Sequence, residues 1–251
     1  MDIQIASDLH LELEWNTRHF EQYPLVPSAD ILVLAGDIMI LGDDFVEHHF
    51  WDRVSKDFKQ VYFLPGNHEY YNGTDVSCNI SGIDIRHNVH LINNDSVVID
   101  DNMILFTTLW SNIPVCLSGP MLSKGSDFKY IMYNGNTLSI EAYNKLNEEA
   151  LLFLKSQLVE QCKNKIVISH HVPLLELLPA RLRESWGASL YFNRFDDILL
   201  NNNIHSWIYG HSHYPHDDST IYGTKFYTNP FGYQANRQNP DFKLDKCIHV
   251  D

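Results

Sequence analysis

Short apolar runs recur along the chain, and most end on a small or turn residue followed at once by polar side chains. The runs at 3–6, 31–35, 61–64, 97–99, 103–107, 166–169, 207–209 and 225–228 are rich in β-branched and aromatic residues and predict strands. Between the second and third, Val46, Phe50, Val54 and Phe58 recur every fourth residue, the spacing of one helix face. Ile140, Tyr143, Leu146, Ala150, Phe153, Leu154 and Leu158 predict a longer helix. This alternation predicts a layered α/β domain. Two segments carry neither pattern. Residues 114–135 are rich in Gly, Ser, Lys and Asp, and 172–195 mix "PLLELLP" with Arg181, Arg183, Trp186 and Tyr191. Long irregular segments of this kind serve as binding loops or lids, and 172–195 is the candidate lid. No repeat or linker divides the chain, so 1–251 reads as a single domain.

Composition narrows the function classes. The chain carries 32 acidic against 18 basic residues, net −14, a field that repels long polyanions and disfavours extended nucleic acid as a partner. No apolar run reaches the roughly eighteen residues of a membrane span, and the first residues lack the basic start of an export signal. Four scattered cysteines form no framework. The expectation is a cytoplasmic protein with no membrane partner.

Five strand ends repeat one grammar: "IQIASDLH" with Asp8 and His10, "ILVLAGD" with Asp37, "VYFLPGNHE" with Asn67 and His68, "KIVISHH" with His170 and His171, and "WIYGHSH" with His211 and His213. Strand ends converge on one sheet edge, where α/β proteins place their sites. Alternate residues of Asp-x-His and His-x-His point to the same side of an extended segment and can grip one ion. Carboxylate, imidazole and amide without thiolate suit Mn, Fe, Co, Ni or Zn, and the donors exceed one ion's needs, which points to two ions sharing a carboxylate. The remaining histidines, His19, His48, His49, His87, His90, His205, His216 and His249, are read as core or surface groups.

The ordered set "DLH", "GD", "GNHE", "SHH" and "GHSH" resembles the calcineurin-like metallophosphoesterases, and "TTLWS", "NPFGY" and "NPDF" resemble a group of small bacterial and phage-type phosphohydrolases within them. The resemblance implies a four-layer sandwich of two mixed β-sheets flanked by helices. It implies that Asp8, His10 and His213 hold one ion, Asn67, His170 and His211 a second, and that Asp37 bridges them. His170 is chosen over His171 because it directly follows its strand. His68 would face the substrate phosphate as charge stabiliser or proton donor. Many members carry GDxxD or GDxxN; here Ile40 stands at that place, which changes the surroundings of Asp37.

The implied reaction is attack on a small phosphoester by a hydroxide held between two divalent ions, Mn foremost, with Fe, Zn, Ni or Co as alternatives. A diester of nucleotide-like size is the expected substrate. The alternatives are a phosphomonoester and a catalytically silent binding module of the same fold. Asn112, Tyr70 and Arg181 are the candidate substrate contacts, with Trp110, Tyr71, Tyr191 and Tyr233 as further candidate walls. Glu69 reads equally as a partner for an imidazole or as an exposed turn carboxylate.

Overall fold

The run ILVLA is buried at every position, as a central parallel strand covered on both faces must be. In the computed structural model, which describes residues 1–78, 80–236 and 238–251, it is β2 (Ile31–Ala35) of a six-stranded sheet. Parallel to it run β1 (Asp2–Ala6), β3 (Gln60–Leu64) and, beyond β3, β5 (Val89–Leu91). The edges are antiparallel: β4 (Ile83–Arg86) on β5 and β14 (Cys247–His249) on β1. A second six-stranded sheet has β7 (Asn102–Thr107), β10 (Asn164–Ser169), β11 (Ser206–Tyr209) and β13 (Thr224–Thr228) parallel. Its antiparallel edges are β6 (Asp95–Ile99) and β12 (Ser219–Ile221). A small ribbon, β8 (Met132–Tyr133) with β9 (Asn136–Thr137), stands apart.

Period-two alternation sorts the strand side chains into layers. Ile3, Ile5, Val33 and Leu64 of the first sheet meet Ile104, Phe106, Ile166, Ile168 and Ile208 of the second in a core between the sheets. The opposite face of the first sheet, Leu32, Leu34, Val61 and Phe63, packs on Phe20 of α1 (Glu14–Gln22) and on Phe50, Trp51 and Val54 of α2 (His49–Asp57). Leu105, Val167, Trp207 and Phe226 of the second pack on Ala150, Leu154 and Leu158 of α5 (Ile140–Leu158) and on Ile198 and Leu199 of α7 (Asp196–Asn201). Two mixed sheets thus lie between helices in four layers.

The α5 bounds match the sequence pattern, and Ser139 caps it by accepting from Ala142 N–H at 3.1 Å. The α2 stripe is shorter than its spacing predicts. The His48 ring accepts from Phe50 N–H at 3.2 Å and starts the helix there, leaving Val46 exposed before it and Phe58 as its extended C-cap. The irregular 114–135 stretch holds α3 (Ser118–Lys124) and α4 (Asp127–Tyr130). Its Met121, Phe128 and Ile131 join Tyr70, Trp110 and Tyr143 in a further apolar cluster. Segment 172–195 contains α6 (Ala180–Arg183) and short turns. Among the described residues no helix is long and apolar enough to cross a membrane.

Candidate metal centre

The C-terminal ends of β1, β2, β3, β10 and β11 deliver Asp8 and His10, Asp37, Asn67 and His68, His170, and His211 and His213 to one edge of the sandwich. The two sheets are stitched at this edge: Ser7 N–H donates to Asn229 O at 3.1 Å, and Phe231 N–H donates to Ser7 O at 3.0 Å. Five of the seven predicted ligands, Asp8, His10, Asp37, His211 and His213, have φ between 48° and 69°. Left-handed backbone is sparse outside glycine, and its concentration marks a functional site. At Gly66 an added Cβ would lie 2.3 Å from Asp37 Oδ1 and 2.6 Å from His170 Nε2, so the backbone passes the cluster only without a side chain.

Two groups of donors share Asp37. Asp8, His10, Asp37 and His213 each place one ligand atom within 4.8 Å of the others, and so do Asp37, His170 and His211. His10 Nε2 lies 2.9 Å from His213 Nε2, which is 3.4 Å from Asp8 Oδ1. His170 Nε2 lies 3.3 Å from Asp37 Oδ2 and 3.2 Å from Asn67 Oδ1.

The other side of each ring is tied to an acceptor. His10 Nδ1 meets Glu12 Oε1 at 3.0 Å, His213 Nδ1 meets Gln238 Oε1 at 2.8 Å, His170 Nδ1 meets Ala35 O at 2.9 Å, and His211 Nε2 meets Leu190 O at 3.0 Å. Each imidazole therefore gives its proton outward and turns a lone pair inward. Asn67 Nδ2 donates to Asp127 Oδ1 at 2.9 Å, which leaves its carbonyl oxygen facing the cluster. Buried lone pairs without protons of their own repel one another, and a cation satisfies them together. Oxygen and imidazole donors without thiolate fit a first-row divalent ion. Without an ion, a proton takes that place on the inward Nε2 of His170: burial opposes its ionisation, yet Asp37 and Asp8 lift it to about 9.

His171 is different. Its Nδ1 faces Thr108 O and its Nε2 the Tyr143 hydroxyl, each at 3.2 Å, and burial together with His170 pushes it down to about 3. It is a neutral core imidazole, and geometry brings only His170 of the pair into the cluster.

His68 lies just outside the two groups. Burial would lower it, but Asp37, a hydrogen bond to Glu12 and the charge of Glu12 raise it to about 9. Its Nδ1 meets Glu12 Oε1 at 3.1 Å, its ring stacks on Tyr71 at 4.1 Å, and its Nε2 lies 3.5 Å from the Tyr233 hydroxyl.

Glu12, Gln238 and Asp127 escape the sequence reading. Glu12 sits two residues beyond His10 and has a trace in "DLHLE"; the other two are fixed only by tertiary contact. One Glu12 oxygen serves both His10 and His68, and its second oxygen is buried without a partner among the described residues. Glu12→Gln is expected to lower kcat about 10- to 100-fold, as loss of a ligand's orienting partner does, with native circular dichroism retained. Burial raises the Glu12 carboxyl, but His10 and His68 hold it at about 2 against an ordinary 4.5. A depressed carboxyl stabilises the fold fully above about 4.5 and loses that contribution as pH falls toward 2. Thermal melts should show this acid-limb loss in the native chain and a smaller one in Glu12→Gln.

Glu69 is neither an imidazole partner nor exposed. Its fully buried carboxylate accepts from the N–H groups of Gly66 at 2.6 Å, Asp37 at 3.0 Å, Ile38 at 2.7 Å and Met39 at 3.2 Å. It ties the turn after β3 to the turn after β2.

An open cleft of about 430 Å³ runs past Asp37, Asn67, His68, His211 and His213, walled by Tyr71, Tyr191, Tyr214, Trp186 and Tyr233. Of the candidate substrate contacts, Tyr70 is displaced: the turn after Asn67 directs it inward, where it is 1% exposed and packs near Trp110. Tyr71 takes the cleft position instead. Asn112 lines a neighbouring groove, away from the donor cluster. Arg181 is exposed, its guanidinium 4.0 Å above the ring of Tyr214.

Residues 1–215 match the family model of the calcineurin-like phosphoesterases, and the chain belongs to that family. With the donor cluster described above, that makes it a metal-dependent phosphoester hydrolase. The uncharacterized protein L509 of Acanthamoeba polyphaga mimivirus is 29% identical over 229 residues, covering 83% of this chain and 80% of the relative. Among solved structures, phosphopantetheinyl hydrolase from Mycobacterium tuberculosis superposes with a TM-score of 0.74 at 17% identity, over 99% of this chain and 96% of that one. At that identity the likeness is one of fold.

Proposed function

We propose that the chain hydrolyses small phosphodiesters, with Asp8, His10 and His213 holding one divalent ion, Asn67, His170 and His211 a second, and Asp37 shared. Mn is the proposed metal, on the mixed oxygen and imidazole donor set. When bound, two such ions supply electrophilic charge to phosphoryl oxygens and acidify water.

The chain's own residues do the rest. Glu12 holds His68 with its Nε2 toward the cleft, and Tyr71 stacks on the ring and restricts its rotation. Protonated His68 is placed to offset charge on the phosphoryl group, or to give its Nε2 proton to the departing oxygen as the bond to phosphorus breaks. The 172–195 segment supplies Leu182, Ser185, Trp186, Leu190 and Tyr191 to the cleft wall, where it can shield the reacting group from water.

The observation that carries the diester reading is the charge of the wall. Among the described lining residues the cations are Lys124 and protonated His68, against the carboxylates Asp37 and Asp127, so the protein wall carries no excess of positive charge for a dianion. A diester brings one negative charge and a second ester arm that the aromatic walls can cover, whereas a monoester dianion brings two charges. The test is Mn-reconstituted protein assayed on bis(p-nitrophenyl) phosphate and on p-nitrophenyl phosphate. The expected result is a kcat/KM at least about tenfold higher for the diester, a margin of about 1.4 kcal/mol. A preference for the monoester overturns the reading.

A further inference from the structure

We infer that a groove beside the cleft is a second subsite, built for an ester arm that is apolar along its length and anionic at its end. The inference rests on the diester reading and specifies its substrate.

The arginines point to this segment. Arg18 pairs with Glu14, Arg86 pairs with Asp52 at 2.7 Å, and Arg53 donates to Phe20 O at 3.2 Å. Arg181, Arg183 and Arg194 differ: among the described residues none of them has a carboxylate or carbonyl partner for its guanidinium. Two touch only rings, Arg181 over Tyr214 at 4.0 Å and Arg194 over Phe192 at 5.6 Å. All three lie between positions 180 and 195 of a chain with net charge −14. Three exposed guanidinium groups without such a partner on one segment are free to meet an anionic group.

Arg183 and Arg194 both line an open groove of about 710 Å³, together with Pro114, Leu117, Leu151, Leu175, Phe192 and Phe195. No Asp or Glu is among its described lining residues. Ser185 and Trp186 line this groove and the catalytic cleft alike, so the two cavities share a wall. A molecule with its phosphodiester at the donor cluster can pass an arm over Trp186, cover that arm with Leu and Phe side chains, and bring an anionic terminus to the guanidinium groups that line the groove. A carboxylate and a phosphate terminus share the chemistry the two arginines recognise.

The test uses Mn-loaded protein and p-nitrophenyl alkyl phosphodiesters with arms of two to twelve carbons, ending either in methyl or in carboxylate. Release of p-nitrophenol gives kcat and KM for each. At one range of arm lengths the carboxylate compound should show a KM about tenfold lower than its methyl twin, the gain expected of a well-placed charge-assisted contact. Arg183→Ala with Arg194→Ala should erase that ratio. Asn112→Trp, at an exposed position on the groove wall, should raise KM for long arms relative to bis(p-nitrophenyl) phosphate. Equal KM values for the two termini at every length, or a ratio that survives the double substitution, overturn the subsite while leaving the diester reading intact. If bis(p-nitrophenyl) phosphate is itself not turned over, the diester reading fails and the subsite with it.

Discussion

Asp37→Asn is expected to lower turnover by on the order of 10³-fold or more, the several kcal/mol of charge stabilisation that bound divalent ions supply. The substitution is nearly isosteric, and its remaining oxygen can still accept from His68 N–H, as Asp37 Oδ1 does at 2.9 Å. What changes is the atom 3.3 Å from His170 Nε2 and 3.8 Å from His10 Nε2, where an acceptor becomes a donor facing both groups at once. Metal analysis after Mn reconstitution should therefore fall well below two ions per chain. The native chain should melt lower after chelation, since an ion that binds only the folded state stabilises it. Asp37→Asn should show a smaller shift on chelation than the native chain. Retention of both two ions and native turnover would show that Asp37 is not shared between them.

Glu69→Gln carries the largest expected effect on stability. Four backbone N–H groups converge on the carboxylate, and a side-chain amide can accept from only one pair. Either Asp37 and Gly66 or Ile38 and Met39 then face an NH₂ group in a site closed to water. Two buried donors left unpaired cost about 2–4 kcal/mol. For a chain of this size that lowers Tm by roughly 5–15 °C, measurable by calorimetry in the presence of chelator so that metal loss does not contribute. A shift under 2 °C would mean that the two turns are held by other contacts.

The donor cluster was legible because each of its members is local: an apolar strand, a turn, then a donor, repeated at several strand ends. What the residues around them do was not. Asn67 faces inward because its amide protons go to the Tyr71 hydroxyl and to Asp127, and nothing near "GNHE" reveals the second partner, sixty positions away. Tyr70 and Tyr71 are adjacent and chemically alike, and the short 3₁₀ turn over His68–Tyr70 decides which one is buried. The edge strand β14 and the β8–β9 ribbon were lost for a different reason. β8, β9 and β14 are two or three residues long, too short for alternation to register, and exist because a neighbouring strand offers them hydrogen bonds. Glu69 was ambiguous because a buried carboxylate and an exposed one have the same letter.

The seam between the sheets has one last implication. Asp8, His10, Asp37 and Asn67 follow strands of the first sheet, while His170, His211 and His213 follow strands of the second. Neither sheet alone offers both donor groups, so a nascent chain has no such centre until β10 and β11 have been made and docked. A chain holding ions at both donor groups would therefore already have brought its two halves into register.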